Sequence, residues 1–218
     1  MKPMIDLRVY AVLDPSRCDG RDPVGLAAAA AAGGATLVQL RDKTSTTRDL
    51  VAMARAVRDV LDPPAVPLLI NDRVDVALAA DCAGVHVGQS DMAAADARRL
   101  LGPERIVGVT VHHLHEAEAV DPTIVDYVGI GPVFATASKD PGDPPMGPEG
   151  LGRLIAGLGD LPACGIAGID HGNAAAVIGA GAAGVAVISD IFMAGDVEAA
   201  TRRLRLVVDG ALAKKASS

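Results

Sequence analysis

Short apolar runs recur along this chain, each running into polar or glycine residues and each followed by a stretch with helical signals. They read Leu7-Arg8-Val9-Tyr10-Ala11-Val12-Leu13, Thr36-Leu37-Val38-Gln39-Leu40, Pro67-Leu68-Leu69-Ile70, Gly84-Val85-His86-Val87, Ile106-Val107-Gly108-Val109, Asp126-Tyr127-Val128-Gly129-Ile130, Pro162-Ala163-Cys164-Gly165-Ile166 and Gly184-Val185-Ala186-Val187-Ile188. Continuous apolar runs of this kind are typical of strands covered on both faces, as in a parallel sheet whose crossovers are helices.

The intervening segments carry helix punctuation. Pro23 opens an Ala-rich helix that Gly33-Gly34 ends, and residues 46–61 place Leu50, Met53, Ala54, Val57 and Leu61 on one face before Pro63-Pro64 stops the helix. Shorter helices are expected over about 74–80, 93–101, 114–120 and 173–179, and a last one over about 197–212. The alternation predicts an α/β fold, a single-domain (β/α)8 barrel over residues 1–213, and residues 214–218 are expected to be a disordered tail. An open doubly wound sheet is the alternative. It would carry a glycine-rich fingerprint after its first strand, where this chain has Asp14-Pro15-Ser16-Arg17.

Composition narrows the function. A formal charge of −7 and an aromatic content of 2% argue against nucleic-acid binding, which wants basic surfaces and stacking rings. Cys18, Cys82 and Cys164 are far apart and form no CxxC, so neither a disulfide framework nor a structural metal site is expected. The charges in Met1-Lys2-Pro3-Met4-Ile5-Asp6-Leu7-Arg8 do not suit a signal peptide, and the Ala/Gly-rich residues 27–38 are too short to span a bilayer. The expectation is a cytoplasmic protein with no membrane partner; a homo-oligomer is left open.

In a (β/α)8 barrel the carboxyl ends of all strands meet on one face, so position within each unit matters more than local sequence. Those ends carry Gln39, Arg41 and Lys43; Asn71 and Asp72; Asp91; Thr110; Thr136, Ser138 and Lys139; Gly168; and Ser189. Arg41 and Lys43 can clamp a diphosphate, one as a planar fork and one as a point charge. Asp72 and Asp91 can share Mg2+, which usually takes one or two protein carboxylates and fills its octahedron with water and phosphate oxygens. Gly165-Ile166-Ala167-Gly168-Ile169 and Val187-Ile188-Ser189-Asp190 end strands seven and eight, where barrels often bind phosphate through backbone N–H groups and a short extra helix. His112, His113 and His115 lack the spacing of a helical zinc site and are read as the start of the fifth helix, His86 as a barrel-lining residue, and His171 as part of a turn.

With these residues assembled, the chain resembles the thiamine phosphate synthase family over nearly its whole length. The matching motifs are Gln39-Leu40-Arg41-Asp42-Lys43, Ile70-Asn71-Asp72-Arg73, His86-Val87-Gly88-Gln89-Ser90-Asp91, Gly108-Val109-Thr110, Gly129-Ile130-Gly131-Pro132 through Lys139, Gly165-Ile166-Ala167-Gly168-Ile169 and Val187-Ile188-Ser189. The resemblance implies a TIM-barrel transferase that joins a hydroxymethylpyrimidine diphosphate to a thiazole (carboxy)phosphate with Mg2+. It implies that Gln39, Arg41, Lys43, Asn71, Thr110 and Lys139 bind the pyrimidine diphosphate, with Arg41, Lys43, Lys139 and Thr110 acting in catalysis and Asp72 and Asp91 as metal ligands. Thr136, Ala137 and Ser138, with the backbone at Gly168, Ile188 and Ser189, would take the thiazole phosphate. The implied mechanism is dissociative: diphosphate leaves before the thiazole nitrogen attacks.

Several positions depart from the family pattern. Ser138 stands where Thr is frequent, His113 where a small hydroxyl residue is common, and residues 140–145 are a proline-rich variant of the lid; the 131–148 loop that contains them is expected to close over substrate. Ala167 replaces the first glycine of GIGGI, which is tolerable if its φ is negative. The competing readings are a thiazole tautomerase, favoured by His112 and His113 but not by the retained diphosphate and metal residues, and a non-catalytic phosphometabolite-binding barrel.

Overall fold

The computed structural model describes residues 5–62, 65–136 and 144–217. Its centre is a closed barrel of parallel strands in sequential order: β1 (Val9–Leu13), β2 (Leu37–Leu40), β3 (Leu68–Asn71), β4 (Gly84–Val87), β5 (Ile106–Val111), β6 (Tyr127–Ile130), β7 (Ala163–Ile166) and β8 (Gly184–Val187), with β8 pairing back onto β1. Around it lie α1 (Pro23–Ala32), α2 (Thr47–Leu61), α3 (Val74–Ala79), α4 (Ala94–Leu101), α5 (Leu114–Glu118), α6 (Gly147–Ala156), α7 (Ala174–Gly179), the short α8 (Ser189–Phe192) and α9 (Val197–Ala216). The (β/α)8 barrel expected from the alternating pattern is the observed fold.

The local signals act as their chemistry predicts. Asp22 caps α1 by accepting from Val24 N and Gly25 N, Pro23 sits in its first turn, and Gly33 closes it. Thr46 caps α2, whose Leu50, Ala54, Val57 and Leu61 are buried, the stripe read from the sequence.

Because successive strand residues point to opposite faces, each strand feeds two apolar layers. On β1, Val9, Ala11 and Leu13 pack outward against the helices, whereas Tyr10 and Val12 point into the barrel with Leu37, Leu69, Ile106, Tyr127, Cys164 and Ala186. The inner layer is the floor on which the site stands. Gly108 makes that floor possible: a Cβ there would lie 2.2 Å from the ring of Tyr127.

One boundary differs from the sequence reading. The last helix continues to Ala216, through residues 214–216, where the sequence leads one to expect a disordered tail. Lys214 and Lys215 lie in the final turn, where cations suit the helix dipole, and Lys215 Nζ donates to Gly181 O at 3.1 Å.

Candidate active site

At the carboxyl mouth of the barrel lies a pocket of about 740 Å³, counted with the open space of its mouth. Its wall brings together Gln39 and Arg41 from β2 and its loop, Asn71 from β3, Thr110 from β5, Thr136 after β6, Gly168 after β7, and Ile188 and Ser189 after β8. Val12, Ile166 and Ala186 supply apolar wall, and Tyr10 and His86 are also among the lining residues. Lys43, Asp72 and Asp91 form an adjoining group at the rim rather than part of this wall. Of the sequence candidates, Ala137, Ser138 and Lys139 lie outside the described residues, as do residues 140–143 of the loop expected to close.

Both described candidate cations are held by carboxylates. Arg41 Nη1 donates to Asp14 Oδ2 at 2.5 Å, and Asp14, directly after β1, is 3% exposed. The other Asp14 oxygen accepts from Ser16 N at 3.0 Å and Ser16 Oγ at 2.6 Å. Asp14 is therefore a fully engaged anchor. Asp14 is not among the sequence candidates; the signal available for it is a carboxylate directly after the first strand, beside an arginine directly after the second.

Lys43 Nζ donates to Asp72 Oδ2. Burial is the largest cause raising the Asp72 pKa above its ordinary 3.8; Asp91 adds to it, and the Lys43 ammonium pulls the other way. Two carboxylates close enough to oppose each other's ionisation are an arrangement that a hard divalent cation relieves. Asp91 is oriented by Gly88 N, which donates to its Oδ2 at 2.8 Å. Among the described residues no group of three or more His, Cys, Asp or Glu could hold a metal, so this carboxylate pair is the candidate, and its chemistry fits Mg2+ rather than zinc.

Across the pocket, Ala167 and Gly168 both have positive φ, +69° and +67°. The condition under which Ala167 would be tolerated without strain, a negative φ, is therefore not met. The backbone here is tied to the segment after β6, with Val133 N donating to Ile166 O at 3.0 Å and Phe134 N to Ala167 O at 3.2 Å. At Gly168 a Cβ would lie 2.5 Å from Ala135 O, so glycine is needed there for space as well as for conformation. The short α8 begins at Ser189, as the sequence suggested for a helix beside strand eight. Arg21 braces its far end, with Nη1 donating to Ala194 O at 2.9 Å.

The remaining candidates settle into structural roles. His112 Nδ1 lies 2.5 Å from Gly131 O, His113 caps α5, and neither lines the pocket. His171 Nδ1 contacts Asp190 Oδ1 at 2.8 Å. The three cysteines are buried, and burial pushes the Cys82 thiol up to about 11 and the Cys164 thiol up to about 12, so neither supplies a thiolate at neutral pH. No helix among the described residues is long and apolar enough to cross a membrane.

A closed (β/α)8 barrel with polar side chains gathered at the carboxyl ends of its strands has the architecture of a small-molecule enzyme. Comparison with known proteins gives the particular kind. Residues 9–191 match the family model described as thiamine monophosphate synthase. The chain is 50% identical over 209 residues to the thiamine-phosphate synthase of Solidesulfovibrio magneticus, covering 96% of this chain and 99% of that one, and 46% identical over 205 residues to that of Chloroflexus aurantiacus, covering 94% of each. A solved thiamine phosphate pyrophosphorylase from Pyrococcus furiosus superposes with a TM-score of 0.85 at 34% identity, over 95% of this chain and 98% of that one. The chain belongs to the thiamine monophosphate synthase family, and it is an enzyme of the transferase class.

Proposed function

We propose that this enzyme joins 4-amino-5-hydroxymethyl-2-methylpyrimidine diphosphate to a thiazole phosphate, releasing diphosphate and forming thiamine phosphate. The observation that carries the reading is the pocket itself: Gln39, Arg41, Asn71 and Thr110 line one part of its wall, and Thr136, Gly168, Ile188 and Ser189 another. Such a site offers polar groups on two sides of the pocket with apolar wall beside them.

In the reaction, the bond between the pyrimidine methylene carbon and the diphosphate oxygen breaks, and its electron pair leaves with the diphosphate. The 4-amino group feeds electron density into the methylene cation, and the thiazole nitrogen then donates its lone pair to form the new C–N bond. Arg41, held in place by Asp14, and Lys43, at the rim, stabilise the charge that gathers on the leaving group. Lys139 joins them in this reading. Thr110 binds the diphosphate end and Gln39 and Asn71 the pyrimidine diphosphate substrate, while Thr136, Ala137 and Ser138 with the backbone at Gly168, Ile188 and Ser189 take the thiazole phosphate. Asp72 and Asp91 would hold Mg2+, which supplies further neutralisation of the departing diphosphate. This chemistry needs positioning and charge stabilisation rather than a nucleophile and base, and the cysteines are buried with raised pKa values. The enzyme is proposed to work in the cytoplasm.

Diphosphate release from the purified protein, given both substrates with and without Mg2+ and set beside Asp91→Ala, tests this reading. Mg2+-dependent release that the variant loses is expected. Turnover of a thiazole phosphate alone, with no diphosphate released, would instead establish the tautomerase.

A further inference from the structure

The only two tyrosines of the sequence, Tyr10 and Tyr127, meet in the barrel floor although 117 positions separate them. Their hydroxyl oxygens are 2.8 Å apart. Gln39 Nε2 donates to the Tyr10 hydroxyl, the Tyr127 hydroxyl lies 2.7 Å from His86 Nδ1, and His86 Nε2 lies 2.7 Å from Thr110 Oγ1. The result is an unbroken polar chain across the barrel, running from β2 through β1, β6 and β4 to β5. Both of its ends, Gln39 and Thr110, line the pocket.

Such a chain can be polarised in only two ways, because each hydroxyl has one proton and a neutral imidazole has one donor and one acceptor nitrogen. Gln39 sets the direction. Its Nε2–H donates to Tyr10, so the Tyr10 proton goes to Tyr127 and the Tyr127 proton to His86 Nδ1. His86 then carries its proton on Nε2 and donates to Thr110 Oγ1, which leaves the Thr110 proton for the pocket. Among the described residues no donor reaches Gln39 Oε1, so that end offers an acceptor. Burial raises the pKa of both tyrosines above the ordinary 10, which keeps them protonated. Reversing one member requires reversing all of them.

We propose that Tyr10, Tyr127 and His86 are positioning residues that hold Gln39 as an acceptor and Thr110 as a donor, and so select a substrate with an amine N–H at one end and an anionic oxygen at the other. The inference rests on the functional reading above, where the aminopyrimidine supplies the amine and its diphosphate the oxygen. With the chain reversed, an amine would face the Gln39 amide N–H and an anion would face a Thr110 lone pair. None of the three residues need touch the reacting atoms.

Two measurements test the relay. The first is the tautomer of His86 in the substrate-free protein, read from two-dimensional ¹H–¹⁵N spectra of protein carrying labelled histidine. His86 is expected as the single Nε2–H form, and Tyr127→Phe is expected to abolish that preference. A His86 protonated on Nδ1 in the unmodified enzyme overturns the proposal. The second is kcat/KM for the pyrimidine diphosphate in Tyr10→Phe, Thr110→Val and the double variant. A single misdirected hydrogen bond to a charged group costs about tenfold, so each single variant should fall by at least that much. The double variant should be no worse than Thr110→Val alone, with KM for the thiazole phosphate unchanged within about twofold. Losses that multiply independently would overturn the coupling, as a merely structural role would predict. If Tyr127→Phe does not fold, the unmodified protein and the Tyr10 cycle still decide the question. If the unmodified enzyme releases no diphosphate, the functional reading fails, and the tautomer alone decides the polarity of the chain.

Discussion

The Arg41 guanidinium, just beyond β2, is held at 2.5 Å by the carboxylate of Asp14, just beyond β1 and 3% exposed. Arg41 thus faces the pocket already oriented, and the ordering of a long side chain is complete before substrate arrives. Asp14→Ala is expected to lower kcat/KM for the pyrimidine diphosphate by roughly ten- to hundredfold. It should also destabilise the fold by roughly 2 kcal/mol, since Arg41 loses its partner in a part-buried site. Steady-state kinetics and chemical denaturation measure the two effects.

The raised pKa of Asp72 has an unusual sign for stability. The folded protein keeps a proton there at a pH where the unfolded chain has lost it. As pH climbs from the ordinary aspartate value of 3.8 to the raised folded value, this group therefore subtracts stability. Asp72→Asn removes that burden and suits the observed φ of 59°, a region Asn tolerates. Without metal at pH 7 it should melt at a higher temperature than the parent. Added Mg2+ should stabilise the parent but not the variant. Thermal scans with and without Mg2+ read both, and a lower melting temperature for the metal-free variant would contradict the argument.

Ala167 carries a positive φ of 69° beside the pocket, and an L side chain there costs about 1–2 kcal/mol. Ala167→Gly recovers that cost less the greater flexibility glycine adds to the unfolded chain, about 0.5–1 kcal/mol. A gain of about 1–3 °C in melting temperature is expected, and Ala167→Val should move it the other way.

Gly108 leaves no room for a methyl group, since a Cβ would fall 2.2 Å from the Tyr127 ring. Gly108→Ala is expected to destabilise by about 3 kcal/mol, the upper end for overpacking a closed core. Urea denaturation measures this. A near-neutral result would mean that the barrel floor yields, and that Tyr127 is held less firmly than its packing implies.

The eight-unit alternation was legible in the chain because strands covered on both faces, separated by helices, leave few ways to bury their apolar residues. So was the set of candidate residues at strand ends: an α/β barrel has one functional face, and position within a unit puts a residue on it. Family motifs refined that list without supplying any geometry. What the sequence could not express was pairing across the barrel. Asp14 carries no local sign of its partner, His86 reads as a wall residue, and the two tyrosines, 117 positions apart, give no local sign of meeting. Nor did the sequence disclose the positive φ of Ala167, which follows from the hydrogen bonds tying residues 133–134 to the end of β7.

By itself, then, the sequence determined the strand order, the closed barrel and the face on which the candidate residues gather, since these follow from local periodicity and from burying apolar surface on both sides of a sheet. Closing the ring decided the rest: Asp14 became the partner of Arg41, Asp72 came to lie between Lys43 and Asp91, and Gln39 was joined to Thr110 through Tyr10, Tyr127 and His86. The physical reason is that hydrogen bonds and charge pairs act over a few ångströms, and only the folded barrel brings groups from distant strands within that range.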